Sequence, residues 1–131
     1  MKVDKDGRYT RTHEWVRLED TVAVSGITDY AQEQLSDIVY VELPSVGEHF
    51  GQGEVYGVVE SVKAASDCYM PVAGTIVAVN EALADSPQTV NEDPYRGGWF
   101  IRFTPDDPKD IERLMNAESY EEFVSTLEGA H

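Results

Sequence analysis

The sequence predicts a mostly β fold, a sandwich or a barrel, on three observations. Short runs of β-branched and aromatic residues recur at regular spacing, punctuated by Gly and Pro, which is not the pattern of a parallel sheet. Helical periodicity is confined to one short internal segment and the C-terminal end. A chain of 131 residues fills one core, so a single domain over residues 1–131 is expected, with a C-terminal helical segment at about 107–128.

Trp15 to Glu19 alternates, Val16 and Leu18 lying opposite Arg17 and Glu19. Thr21 to Gly26 follows an acidic turn at Glu19-Asp20. In Asp37 to Leu43 the alternation puts Val39, Val41 and Leu43 on one face. Val55 to Val62, Ala65 to Met70, Thr75 to Val79 and Trp99 to Phe103 complete the strands. Asp29 is positioned to cap a short helix over Tyr30 to Leu35. Near the C-terminus, Asp107 stands at an N-cap and Pro108 at the first helical position, with Ile111, Leu114 and Met115 on one face. Ser119 and Glu122 form a capping-box pattern ahead of Tyr120, Phe123, Val124 and Leu127, and Gly129 ends the run. Pro44 to Gly53 and Glu81 to Gly98 read as loops.

A formal charge of −15 argues against nucleic acid, which requires a basic surface. It suits a soluble monomer that meets several partners briefly. No apolar run approaches the roughly 18 residues needed to span a bilayer. The N-terminus, Met1 to Gly7, lacks an apolar signal core and carries two aspartates, unlike a transit peptide. A cytoplasmic protein, or a processed form in the mitochondrial matrix, is therefore expected. The single Cys68 excludes an internal disulfide and fits a reducing compartment.

The informative segment runs from Val58 to Ile76. Strand-forming residues flank a small, polar centre, and pairing them puts Lys63 at or near the tip of a turn, projecting into water. A lysine acylated there loses its charge and becomes the root of a long flexible tether. Ser61, Ala64 and Ala65 are small enough to leave the approach open. For an isolated lysine a plain solubilising role would be the better reading, since lysine is mostly exposed.

The surrounding residues change that balance. Thr12-His13-Glu14-Trp15, Gly26 to Ala31, Val41-Glu42-Leu43-Pro44 with Gly47, Val59 to Ala64, Pro71-Val72-Ala73-Gly74, Val79-Asn80, Asn91 to Tyr95 and Gly98-Trp99 occur in this order. Together they resemble the glycine cleavage H protein family over nearly the whole chain. The resemblance implies a hybrid barrel-sandwich of two antiparallel sheets, with a short internal helix and C-terminal helices. It implies lipoate in amide linkage to Lys63, attached by a lipoate-attaching enzyme. It also implies a carrier, not an enzyme, that serves three partners. A pyridoxal-phosphate glycine decarboxylase loads an aminomethyl group, a tetrahydrofolate-dependent aminomethyltransferase removes the one-carbon unit, and dihydrolipoyl dehydrogenase reoxidises the dithiol.

By the same resemblance Glu60 and Gly74 assist recognition by the attaching enzyme, although a turn that only Gly fits explains Gly74 as well. Thr12, Glu14 and Asp67 match positions lining a cleft for the aminomethyl-loaded arm, where carboxylates suit a protonated amine. On composition alone they would be surface polar residues of strands. His13, His49 and His131 show no shared metal-ligand spacing, so no metal is expected. Cys68 reads as a half-buried strand residue.

Four alternatives compete. A lipoate-relay protein would look nearly the same. A biotin carrier usually has methionines flanking the lysine, where this chain has Val62 and Ala64. A lipoyl domain of a 2-oxoacid dehydrogenase typically has Asp before the lysine, where this chain has Val62, and lacks the Thr12 to Trp15 motif. An enzyme using Lys63 as a nucleophile needs a pocket that lowers the lysine pKa, which a hairpin tip does not provide.

Overall fold

The computed structural model describes residues 1–128. In chain order the strands are β1 (Arg8–Tyr9), β2 (Glu14–Glu19), β3 (Val22–Ile27), β4 (Ile38–Glu42), β5 (His49–Phe50), β6 (Val55–Ser61), β7 (Ala65–Tyr69), β8 (Gly74–Val79) and β9 (Ile101–Pro105). The helices are α1 (Asp29–Leu35), α2 (Ala82–Asp85), α3 (Thr89–Glu92), α4 (Lys109–Glu112) and α5 (Ala117–Glu128). Two antiparallel sheets result. One has six strands in the order β1-β2-β3-β9-β8-β5, the other three in the order β4-β6-β7.

The alternation in each strand decides which residues fill the space between the sheets. Val16 and Ala23 from the larger sheet join Ile76, Ile101 and Phe103. Val41, Val59 and Cys68 from the smaller sheet complete the same cluster. A second cluster forms where α5 lies on β1 and β2, with Tyr9, Trp15, Tyr95, Tyr120 and Val124 buried. Tyr9 and Tyr120 stack at 4.6 Å, and the Trp15 indole N–H donates to the Pro94 carbonyl at 3.0 Å. The aromatic surface gives a short amphipathic helix the tertiary support it lacks alone.

Several elements depart from the sequence-based expectation. The expected shared face of Val39, Val41 and Leu43 does not form. A bulge between Ile38 and Tyr40 shifts the register, so Ile38 and Val41 point inward while Val39 and Tyr40 face solvent. Helix α1 is capped by Thr28 rather than Asp29; the Thr28 hydroxyl accepts the Ala31 N–H. At α5 the side chain that meets the first turn is Asn116, which accepts the Ser119 N–H at 2.8 Å, so Ser119 lies inside the helix. Asp107 does act at the start of α4, its carboxylate accepting the Lys109 N–H. The two expected loops contain β5, α2 and α3, elements of two to four residues that are too short to leave a periodic signal. Gly129 and His131 lie outside the described residues.

Candidate functional site

Strands β6 and β7 pair with Glu60 opposite Ala65, leaving Ser61 to Ala64 as the turn. Neither Val62 nor Lys63 has a positive φ, so the tip is not one of the primed turns usual in two-residue hairpins. Ser61 compensates. Its N–H donates to the Ala64 carbonyl at 2.8 Å, and its hydroxyl accepts the N–H groups of Lys63 and Ala64 at 3.1 and 3.0 Å. Small size was the property expected to matter at Ser61; its oxygen is what closes the turn.

The tip is also braced from outside. The Val62 N–H donates to the Asp37 carbonyl at 3.0 Å. Asp37 in turn sits between two residues fixed by Asn91. The Asn91 carboxamide accepts the Ile38 N–H at 2.9 Å and donates to the Ser36 carbonyl at 2.9 Å. Lys63 is exposed, and its ammonium has one long contact, 3.5 Å, to the Gln34 carbonyl. Of the four lysines, Lys2, Lys5, Lys63 and Lys109, it alone stands on a hairpin tip. An amine so placed is open to acylation and loses little by surrendering its charge.

Glu60 is exposed immediately before the turn. Gly74 is buried in β8, and its φ is not left-handed. A Cβ there would fall 2.5 Å from Phe103 Cδ2 and 2.7 Å from the Thr104 carbonyl oxygen. The turn expected for this glycine is thus replaced by close packing on β9.

Thr12 and Glu14 come together at the start of β2. Glu14, which a reading from composition would leave in solvent, is 1 % exposed. Its carboxylate accepts from the hydroxyls of Thr12 and Thr10, the latter at 2.7 Å, and from the Tyr69 N–H at 3.4 Å. Burial pushes its pKa up to about 7, against the opposing effect of the Thr12 and Thr10 hydrogen bonds. Thr10 and Tyr69 were missed by sequence reasoning; Thr10 precedes Glu14 by four residues across a tight turn, which gives no periodic cue. Thr12 remains exposed above the carboxylate. Asp67 is exposed on β7, two residues from Tyr69 and four from Lys63. At about 3.3 Å per residue, the run from Lys63 to Tyr69 covers on the order of 20 Å at most.

Beside Glu14 lies a cavity of about 580 Å³ lined by Tyr9, Thr10, Thr12, Tyr69, Met70 and Leu114 among others. Cys68 is more buried than expected, 1 % exposed, and burial raises its thiol pKa, so it is inert as a nucleophile. The Tyr56 hydroxyl is buried with no hydrogen-bond partner among the described residues, and burial raises its pKa. His13 adopts a left-handed φ of 70° and bonds the Tyr120 hydroxyl through Nδ1 at 2.9 Å. Burial lowers its pKa, and its place among Tyr30, Tyr120 and Phe123 is structural. His49 pairs with Asp106 at the surface. Among the described residues no group of three His, Cys, Asp or Glu side chains is arranged to hold a metal, and no helix is long and apolar enough to cross a membrane.

Comparison with known proteins bears on this geometry. A family described as Glycine cleavage H-protein matches residues 7–127. The glycine cleavage system H protein of Anaeromyxobacter sp. (strain K) is 52% identical over 128 residues, covering 98% of this chain and 100% of the relative. That of Thermus thermophilus is 52% identical over 126 residues, covering 96% and 98%. The crystal structure of a glycine cleavage system H protein from Mycobacterium marinum superposes with a TM-score of 0.84 at 38% identity, covering 97% of this chain and 99% of that one.

Proposed function

Since the chain belongs to the glycine cleavage H-protein family, it is a lipoyl-bearing carrier subunit of the glycine cleavage system, and we propose that Lys63 is the residue that bears the lipoate. The single observation that carries this assignment is the exposed amine on a turn closed by Ser61 and braced by Asp37. The residues fit the group. The amine is free to be acylated, its neighbours Val62 and Ala64 leave it open, and the backbone beneath it is held on two sides.

When bound, lipoate would supply a disulfide that is reduced as it accepts an aminomethyl group, and a dithiol that is afterwards reoxidised. The protein's own part is positional. Ser61 fixes the root of the arm. Glu60, exposed beside it, is the side chain we assign to recognition by the attaching enzyme; Gly74 contributes from inside, by letting β8 pack on β9. Thr12, Glu14 and Asp67 form the resting place for an amine-bearing arm. Thr12 and Asp67 supply exposed oxygens, and the buried Glu14 supplies a negative charge that a neighbouring ammonium would stabilise. The partners are the decarboxylase, the aminomethyltransferase, dihydrolipoyl dehydrogenase and the attaching enzyme. Residues 1–131 act as a single carrier domain, and the lone buried Cys68 suits a reducing, cytoplasmic setting.

Intact mass spectrometry tests the assignment. After incubation with lipoate, ATP and the attaching enzyme, the chain gains one lipoyl group and Lys63→Ala gains none. An equal gain by Lys63→Ala would overturn it.

A further inference from the structure

The charges of this chain are segregated. Between Arg17 and Arg96, Lys63 is the sole lysine or arginine, while acidic residues recur throughout. The other cations cluster where the two chain ends meet. Arg8 donates to the Glu112 and Leu114 carbonyls, and Arg17 and Arg96 both face Asp4. The six-stranded sheet therefore carries arginines on β1, β2 and β9, whereas the three-stranded sheet carries Glu42, Glu60 and Asp67 and no cation.

On that same small sheet and its hairpin turn, next to Lys63, three large apolar side chains face water. Val62 is 68 % exposed, Val39 52 % and Tyr40 51 %. They are neighbours by register. Val62 bonds Asp37, Ile38 pairs with Ser61, and Tyr40 pairs with Glu60. The bulge produces the patch, because regular alternation from Ile38 would have turned Tyr40 inward and Val41 outward. An apolar centre ringed by Asp37, Glu42 and Glu60 has the make-up of a protein-docking surface: buried aromatic contact inside, charge at the rim.

We propose that this face is where the glycine decarboxylase that acts on the acylated chain docks, through a surface with an apolar centre inside a ring of lysine or arginine. Charge complementarity selects that partner. Acylation removes the Lys63 ammonium, and with it the one cation of the face, so the acylated chain presents the more uniform anionic surface. The attaching enzyme meets the face before that change. The proposal rests on Lys63 as the acylated residue and deepens that reading.

The test uses full-length chain, lipoylated and checked by intact mass, with glycine decarboxylase as the probe. The double variant Val39→Ser/Tyr40→Ser raises the carrier concentration at half-maximal rate at least about tenfold, with kcat changed by less than about twofold. Val77→Ser, an exposed apolar position on β8 of the other sheet, changes neither. Should the double variant melt early, Val62→Ser supplies the same reading. A competition assay works without lipoylation: Lys63→Gln, neutral like the acylated lysine, inhibits more strongly than unlipoylated wild type at low salt, and the two converge as salt rises. Unaltered saturation by lipoylated double variant and Val62→Ser overturns the proposal, as does equal inhibition by Lys63→Gln and wild type. An effect confined to the attaching enzyme overturns it too. A wild-type chain that takes lipoate elsewhere than Lys63 refutes the underlying assignment, and the competition arm still reads the docking face.

Discussion

Glu14→Gln separates the buried carboxylate's effect on stability from everything else that titrates. An acid whose folded pKa is raised favours the fold while protonated. In the native chain Glu14 holds its proton up to about pH 7, whereas in the unfolded chain it releases it near the ordinary 4.5. Between those values the native state binds more protons than the unfolded one, so stability falls as pH rises. The fall attributable to this one group is on the order of 3 kcal/mol, complete above pH 7. Glutamine keeps a carbonyl for the Thr10 and Thr12 hydroxyls but turns an amide donor toward the Tyr69 N–H, at a loss of about 1 kcal/mol at every pH. Glu14→Gln is therefore slightly less stable than wild type near pH 4.5 and more stable, by roughly 2 kcal/mol, at pH 8. Urea unfolding of both chains across that range measures the difference, in which the other carboxylates and histidines cancel. A difference that stays flat with pH would refute the reasoning, because a carboxylate with an ordinary pKa imposes no such slope in this window.

Gly74→Ala drives a methyl into Phe103 and the Thr104 backbone, neither of which can withdraw without opening the β8–β9 pairing. The expected loss is about 2–4 kcal/mol in chemical unfolding, together with slower lipoylation of the variant. Ser61→Ala leaves the N–H groups of Lys63 and Ala64 without their shared acceptor, yet both are exposed and water can replace it. Global stability thus changes by less than about 1 kcal/mol, while amide exchange at Lys63 and Ala64 accelerates; unchanged exchange would show that the backbone alone holds the turn. Glu14→Ala shortens the lifetime of the amine-loaded form, read as the rate at which ammonia and formaldehyde appear.

The parts of this fold that were legible in the sequence are those where one local signal decides the outcome. The β6–β7 hairpin and the exposure of Lys63 followed from strand formers around a small polar centre. Asp107 and Pro108 announced α4. What was not legible depends on distant partners. The bulge at Val39 is set by pairing with β6 and leaves a sequence that still alternates. Thr28 and Asp29 are equally good caps on paper, and Asp29 is instead engaged elsewhere, accepting the Lys2 N–H at 2.7 Å. Glu14 is buried because the β1–β2 turn brings Thr10 and Thr12 over it and the other sheet supplies Tyr69, contacts that no spacing rule encodes.

The bond from Val62 to Asp37 has a consequence for kinetics. A hairpin attached at one end is a cantilever, and thermal bending would add its own sweep to that of any chain grafted on its tip. Pinned to the α1–β4 junction, which Asn91 pins in turn, this tip is supported at both ends. With lipoate on Lys63 as proposed, the volume explored by the cargo is set by the arm alone, and a smaller volume means a higher effective concentration at any active site within reach. Weakening Asn91, far along the chain from Lys63, would dilute the cargo without touching it.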